Sequence, residues 1–249
     1  MTIRAACSCD HVVGAENEEA FPDAYLVHVR AAHADWPFPD LAVRVIGEAL
    51  LRLTGGRERL DTIGEVVVRP VMPDRLGDWS SYMDHDAFVD KPWVAACFCL
   101  EQHEPLPAPG LGVWKQHRSI MGDRFRDGRA FGYLAYVDDK PAGWVNAAMR
   151  ADQVYALSRE DDATTITVSC FNISPPHRGH GVAAMLLDRV ITDAPARGAT
   201  RIEAYPRPRD DGTNGYSGSL DLYHSRGFEV IKELTSFGRL GAALVRRSV

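Results

Sequence analysis

The sequence is short of several things, and each absence narrows the function. No apolar run approaches the roughly 20 residues that span a bilayer, and Met1-Thr2-Ile3-Arg4 lacks the apolar core of a secretory leader. A cytoplasmic protein without a membrane partner is expected. Lysines and arginines number 28 against 34 aspartates and glutamates, a net charge of −6, and they form no long basic runs. The electrostatic footprint of a DNA- or RNA-binding protein is therefore missing, and no nucleic-acid partner is expected. Cysteine is scarce and odd in number: two C-x-C pairs, Cys7/Cys9 and Cys97/Cys99, plus Cys170. That count argues for thiols or a metal rather than a disulfide framework. There is no G-x-x-x-x-G-K-[ST] phosphate loop, and no G-x-G-x-x-G, because Gly179 and Gly181 are followed by Ala183 and Ala184 without a third glycine.

What is present is 249 residues, 45% of them hydrophobic, enough for a domain of typical size with a small one beside it. The stretch Ser169 to Ala184, SCFNISPPHRGHGVAA, organises the rest. Thr165, Ile166, Thr167, Val168 and Ile173 favour a strand that stops at Ser174, because Pro175 and Pro176 offer no N–H for pairing. Beyond Gly181, Val182, Met185, Leu186 and Val190 recur at helical spacing. The glycines between strand and helix remove side chains where a ligand would approach backbone amides, and the helix start adds unpaired N–H groups and positive dipole. Such a turn cradles phosphate.

Arg178, Gly181 and Ala183 form R-x-x-G-x-A, which resembles the signature of the GNAT N-acetyltransferase superfamily. Leu222-Tyr223-His224-Ser225-Arg226-Gly227-Phe228 resembles the same family's later signature, in the right order and spacing. The resemblance covers residues 64 to 249. It implies an α/β fold, a mixed central sheet flanked by helices, and acetyl-coenzyme A as co-substrate, with the pyrophosphate on the amides of Arg178, Gly179, His180, Gly181, Val182 and Ala183. Phe171, Asn172 and Ile173 would hold pantetheine and the thioester through N–H groups left unpaired where the sheet splays. It also implies Tyr223 as the acid for the departing thiolate. Glu203, opposite Ile202 and Ala204 on a strand, is the candidate base. The asparagine common seven residues before the tyrosine is here Tyr216.

Ahead of that domain, residues 1 to 56 read as a small accessory domain of two short strands (Ile3 to Ala6, His11 to Val13) and two helices. One helix runs from a cap at Asn17 to Ala32 and the other from Leu41 to Leu53, with the boundary near Gly55-Gly56. CDHVVGAENEEAFPDAYLVHVRAAH resembles a family of small bacterial domains of unknown function suspected of binding metal. Spacing alone assigns no metal. C-x-C is tighter than the usual zinc pair, and histidines five apart on a helix point about 140° from each other. His28 and His33 could therefore share an ion only if the helix ends before His33.

The remaining elements follow in order. Strands are expected at Glu65 to Val71, Phe131 to Val137, Ala142 to Met149, Thr200 to Tyr205, Phe228 to Glu233 and Ser236 to Val245. Helices are expected from Pro73 through Met83, from Val113 to Phe125 and from Leu220 to Ser225. Cys97 and Cys99 are placed on a core strand among Val94, Phe98 and Leu100, and Asp138-Asp139-Lys140-Pro141 as a hairpin turn. Trp114, Lys115, His117 and Arg118 are candidates to face the acceptor, with Arg207 to Gly218 as a loop over it. Together these imply an N-acetyltransferase acting on a small amine by direct attack in a ternary complex, and a homodimer is compatible with that. The alternatives are a catalytically silent acyl-coenzyme A sensor and a protein acetyltransferase.

Overall fold

The computed structural model describes residues 2–154, 162–206, 216–233 and 243–249. Among the described residues seven strands form one sheet: β3 (Val66–Pro70), β4 (Phe131–Val137), β5 (Lys140–Met149), β6 (Thr165–Ile173), β7 (Arg201–Ala204), β8 (Glu229–Glu233) and β9 (Ala243–Ser248). Their order is β3-β4-β5-β6-β7-β9-β8, and only β6 and β7 run parallel. The parallel pair is joined through α5 (Val182–Asp193), as a parallel crossover requires. β4 is buried at every residue, which marks a strand covered on both faces rather than one that alternates.

Each face carries its own core. Tyr133, Val145, Val168 and Ile202 pack against Val182, Leu186 and Val190 of α5, together with Tyr223 of α6 (Leu220–His224). On the other face Leu134, Tyr136 and Trp144 meet α3 (Leu76–His85) and α4 (Val113–Arg126), with Trp79, Phe125 and Trp144 in mutual edge-to-face contact. Burying side chains of this size stabilises by about 1.5–3 kcal/mol each. The β4–β5 turn is the expected hairpin: Asp138 and Asp139 both take positive φ, 49° and 60°, as a two-residue turn matched to strand twist demands.

The N-terminal residues form a two-stranded antiparallel sheet, β1 (Ile3–Ala6) and β2 (Val12–Ala15), packed on α1 (Phe21–Ala32) and α2 (Asp40–Arg52). Asn17 Oδ1 accepts the Ala20 N–H at 2.9 Å, but it closes a turn; the helix starts later, at Phe21, with Pro22 in its first turn. Residues 92–102 differ from expectation. They form short 3-10 turns around Pro92–Val94 and Leu100–Gln102, not a strand. Pro92 opens the first turn, and Phe98 and Cys99 sit at φ 49° and 59°, outside any extended conformation. The last strand runs on to Ser248; its expected start, 236–242, lies outside the described residues, as do residues 207–215 of the expected loop. Among the described residues no helix is long and apolar enough to cross a membrane.

Candidate active site

The site begins where β6 leaves β7. The parallel ladder runs from Thr165↔Arg201 to Val168↔Ala204 and goes no further, while β6 continues to Ile173 against β5 alone. At the same place the β5–β6 register slips, pairing Asn146 with Cys170 but Ala147 with Val168, so Ser169 is an extra residue. A bulge of this kind bends its strand and sharpens the local twist. Buried polar groups hold it: Asn146 Nδ2 donates to Ser169 Oγ at 3.0 Å and to His103 Nε2 at 2.9 Å, and Gln153 Nε2 donates to the Thr167 carbonyl at 3.3 Å. His103 therefore sits neutral. Burial, helped by the nearby Arg124 charge and opposed by the Asp152 carbonyl, pushes its pKa down to about 4.

Beyond the bulge, β6 forms one wall of a cleft of about 350 Å³. Phe171, Asn172 and Ile173 line it together with the turn residues Arg178, Gly179, Gly181, Val182 and Ala183. Gly179 and Gly181 take φ of 81° and 79°, a left-handed conformation that favours glycine. No side chain caps α5, so its first amides open onto the cleft. The Arg178 side chain turns the other way, donating from Nε to the Ile173 carbonyl at 2.8 Å and from Nη2 to Asp90 Oδ1 at 3.0 Å. It braces the turn, leaving ligand contact to the backbone. His180 does not line the cleft; its Nε2 lies 2.9 Å from the Leu60 carbonyl.

Residues that the sequence did not single out complete the walls. Lys91 lines the cleft with its ammonium 5.1 Å from the centre of the Tyr216 ring, and Tyr216 packs edge-to-face on Phe88 at 5.9 Å. The 54–61 connection folds over the turn: Leu60 N–H donates to the Pro176 carbonyl at 3.0 Å, and a Cβ on Gly179 would lie 3.0 Å from the Arg59 guanidinium carbon.

Expected groups depart from expectation in several places. Phe171 N–H is not unpaired: it donates to the Tyr216 carbonyl. Asn172 Oδ1 accepts from Tyr82 Oη at 3.0 Å, while its Nδ2 is buried without a partner among the described residues, as is Tyr216 Oη. Tyr223 is fully buried, stands edge-to-face to Phe171 at 6.3 Å and donates to the Ser217 carbonyl at 3.1 Å. Burial raises its phenol well above the ordinary range, so it stays protonated. Glu203 is not at the cleft. Its Oε2 accepts from Arg150 Nη1 at 2.6 Å and its Oε1 from Arg246 Nε at 2.7 Å, and neither Glu203 nor Arg150 has any exposed side-chain surface. With both oxygens held by guanidinium groups, the carboxylate is not placed to take a substrate proton. Of the residues expected over the acceptor, Trp114, Lys115, His117 and Arg118, none lines the cleft: His117 Nδ1 lies 2.6 Å from the Ala96 carbonyl, the Trp114 ring stacks under Arg52 and Arg118, and Lys115 is exposed.

Parallel strands that part beside a glycine turn, with an uncapped helix start facing the gap, form a cleft suited to a phosphate-bearing ligand. The model of the Acetyltransferase (GNAT) family matches residues 93–228, more than half of the chain, and the chain belongs to that family. It is an acetyl-coenzyme A-dependent acyltransferase. Similar solved structures include an N-acetyltransferase from Staphylococcus aureus Mu50, 15% identical over 74% of this chain and 99% of that one, with a TM-score of 0.49. Others are the GNAT domain of S. lividans PAT (17%, 75% and 92%, 0.48) and yncA, a putative acetyltransferase from Salmonella typhimurium with its cofactor acetyl-CoA (16%, 74% and 94%, 0.47). No curated protein matches the chain. The cleft suits acetyl-coenzyme A by its own chemistry: open glycine turn, uncapped amides, a lysine, and two orphaned polar atoms, Asn172 Nδ2 and Tyr216 Oη, on its walls.

Proposed function

We propose that the chain acetylates the amine of a small molecule by direct attack while acetyl-coenzyme A is bound beside it. The observation that carries this reading is the size of the cleft, about 350 Å³ between β6, the glycine turn and Tyr216, which is room on the scale of small ligands. Acetyl-coenzyme A supplies the activated acyl group. Amides of Gly179 and of residues 181 to 183 hold its pyrophosphate, the Arg178 N–H being already donated to the Pro175 carbonyl; Lys91 and Arg59 add positive charge, and Phe171 and Ile173, whose N–H groups point to the same side by strand alternation, bind toward the thioester. For Phe171 this requires the 216–218 turn to give up its hydrogen bond.

Tyr223 is the acid in this proposal. Its hydroxyl hydrogen bonds to the Ser217 carbonyl, beside Phe171, and burial keeps the proton in place until a thiolate develops. Glu203 takes no part in proton transfer, so the acceptor must arrive as the neutral amine or lose its proton to water. Residues 1–56 form an accessory unit to a 64–249 acetyltransferase domain.

The test is coenzyme A thiol release with two acceptor panels. One holds polyamines, arylalkylamines and amino acids; the other holds peptides with free N-termini or lysines. Turnover confined to the first panel is expected, with Tyr223→Phe lowering kcat by about a hundredfold and leaving coenzyme affinity unchanged. Turnover on peptides alone, or coenzyme binding with no release from either panel, refutes the proposal.

A further inference from the structure

A second site lies in the N-terminal unit, away from the cleft and unused by acyl transfer. Cys7 and Cys9 sit in the turn that follows β1. The Cys7 N–H donates to the His11 carbonyl at 2.8 Å, the Asp10 N–H donates to the Cys7 carbonyl at 3.0 Å, and Asp10 takes a φ of 64°. This tight turn brings both sulfurs toward the end of α1. His28 reaches them from the last turns of that helix. His33 reaches them because the helix stops at Ala32: His33 has φ −136° and ψ 53°, so its ring is freed from the 140° divergence that a continued helix would impose.

The four ligand atoms lie within 4.8 Å of one another. Cys7 Sγ is 3.4 Å from His33 Nε2, and Cys9 Sγ is 3.5 Å from His28 Nε2. In a tetrahedral zinc site, with Zn–S of about 2.3 Å and Zn–N of about 2.0–2.1 Å, the sulfur-to-nitrogen edge is about 3.5 Å. Both measured pairs match that edge, and the widest separation needs to contract by only about 1 Å to reach the sulfur-to-sulfur edge of about 3.8 Å.

The surroundings fix the ligands as a metal site requires. The His28 ring stacks on His11 at 4.6 Å and 9°, and the His33 ring stacks on Trp36 at 5.0 Å and 23°, so both imidazoles are oriented before any ion arrives. Tyr25 Oη approaches Cys7 Sγ at 3.6 Å. The unit also has reason to need a staple. Its core is a handful of buried side chains around Phe21, Tyr25, Val29 and Val43, and cores this small fall short of independent stability without a cross-link or metal.

We propose that Cys7, Cys9, His28 and His33 bind one zinc ion, a closed four-ligand structural site that pins the β1–β2 hairpin to the C-terminus of α1. Two thiolates and two neutral imidazoles select zinc among the common divalent ions, since the set is soft, tetrahedral and carries the two negative charges that neutralise it. All four positions are taken by protein, which leaves no open position for a catalytic water.

Elemental analysis of the full chain, purified without chelator and under reducing conditions, should find one zinc per chain. Cobalt(II) added to the metal-stripped chain should give the strong visible absorption of a tetrahedral site with a thiolate charge-transfer band. Cys9→Ser, at an exposed position, and His28→Gln should each lose the zinc equivalent, while Cys97→Ser keeps it. A strong chelator should lower the melting temperature of the wild-type chain and leave that of Cys9→Ser unchanged. Zinc near zero together with no cobalt spectrum overturns the proposal, as does full zinc content in Cys9→Ser.

Discussion

Glu203→Gln separates two accounts of one residue. In the structure the carboxylate joins a fully buried arginine, Arg150, to Arg246, which keeps 28% of its side chain exposed. Replacing the acid by its isosteric amide keeps the shape but removes the charge, and turns an NH₂ group toward one of the two guanidiniums. Arg246 can recover solvation, so its share of the loss is small. Arg150, with no exposed side-chain surface, cannot, and breaking a buried ion pair by removing the charge of one member costs about 3 kcal/mol. In a chain of this size that corresponds to a fall in melting temperature on the order of 10 °C. The assay is thermal unfolding of wild type and variant, paired with thiol release measured well below both transitions. The structural account expects the large thermal shift with kcat within a few-fold of wild type. A catalytic base would give the reverse: an unshifted transition, turnover lower by about a hundredfold or more, and loss of the acidic limb of the pH profile. That second outcome would refute the placement of Glu203 in an ion-pair network.

Three further outcomes follow from particular contacts. His103 titrates at about 4 in the fold against an ordinary value of 6.5, so between those values the unfolded chain takes up a proton that the folded chain refuses. Stability should fall as pH drops from 6.5 to 4, by up to about 3 kcal/mol, and His103→Gln should remove that component; coincident pH slopes of denaturant midpoint in the two proteins would contradict it. Gly132→Ala places a Cβ 2.2 Å from the Val145 carbonyl oxygen and 2.2 Å from the Trp144 ring, so repacking should cost at least about 3 kcal/mol in denaturant unfolding. Lys91→Ala should raise the KM for acetyl-coenzyme A about tenfold with little change in kcat, since one charge-assisted contact is worth about 1.5 kcal/mol; an unchanged KM would remove Lys91 from the coenzyme site.

The parts of the fold legible in the sequence are those whose cause is local. The R-x-x-G-x-A turn needs positive φ at fixed places and a helix that starts at once, and both requirements are met by adjacent residues, Gly181 and Val182. Asp138-Asp139 and the Val182, Leu186, Val190 stripe are of the same kind. What escaped depends on partners far along the chain. Glu203 alternates with Ile202 and Ala204, which reads as a face open to substrate, yet in a sheet covered on both sides the opposite face is also interior. The arginines that occupy it come 53 residues before and 43 after. Cys97 and Cys99 lie among apolar residues that suggest a core strand; the burial was correct for Cys99 but the conformation was not, because packing against α3 and α4 holds a chain of tight turns there.

The boundary between the two parts of the chain was also read locally, from Gly55-Gly56, and the packing gives it a different meaning. α2 serves two cores at once. Val43, Ile46 and Leu50 face the N-terminal unit, whereas Ala49 and Leu53 belong to the core that covers the sheet beside Trp79 and Phe98. Between them Arg52 enters that second core, donating to Asp84 at 2.8 Å and lying 4.1 Å over the Trp114 ring, while Glu48 accepts the Gly112 N–H at 3.0 Å. The glycines therefore mark where a helix ends and not where burial ends. The same connection then runs on to set Arg59 and Leu60 against the glycine turn before α5. The N-terminal unit therefore shares α2 with the core that covers one face of the sheet, so what orders that helix on one side supports the transferase fold on the other.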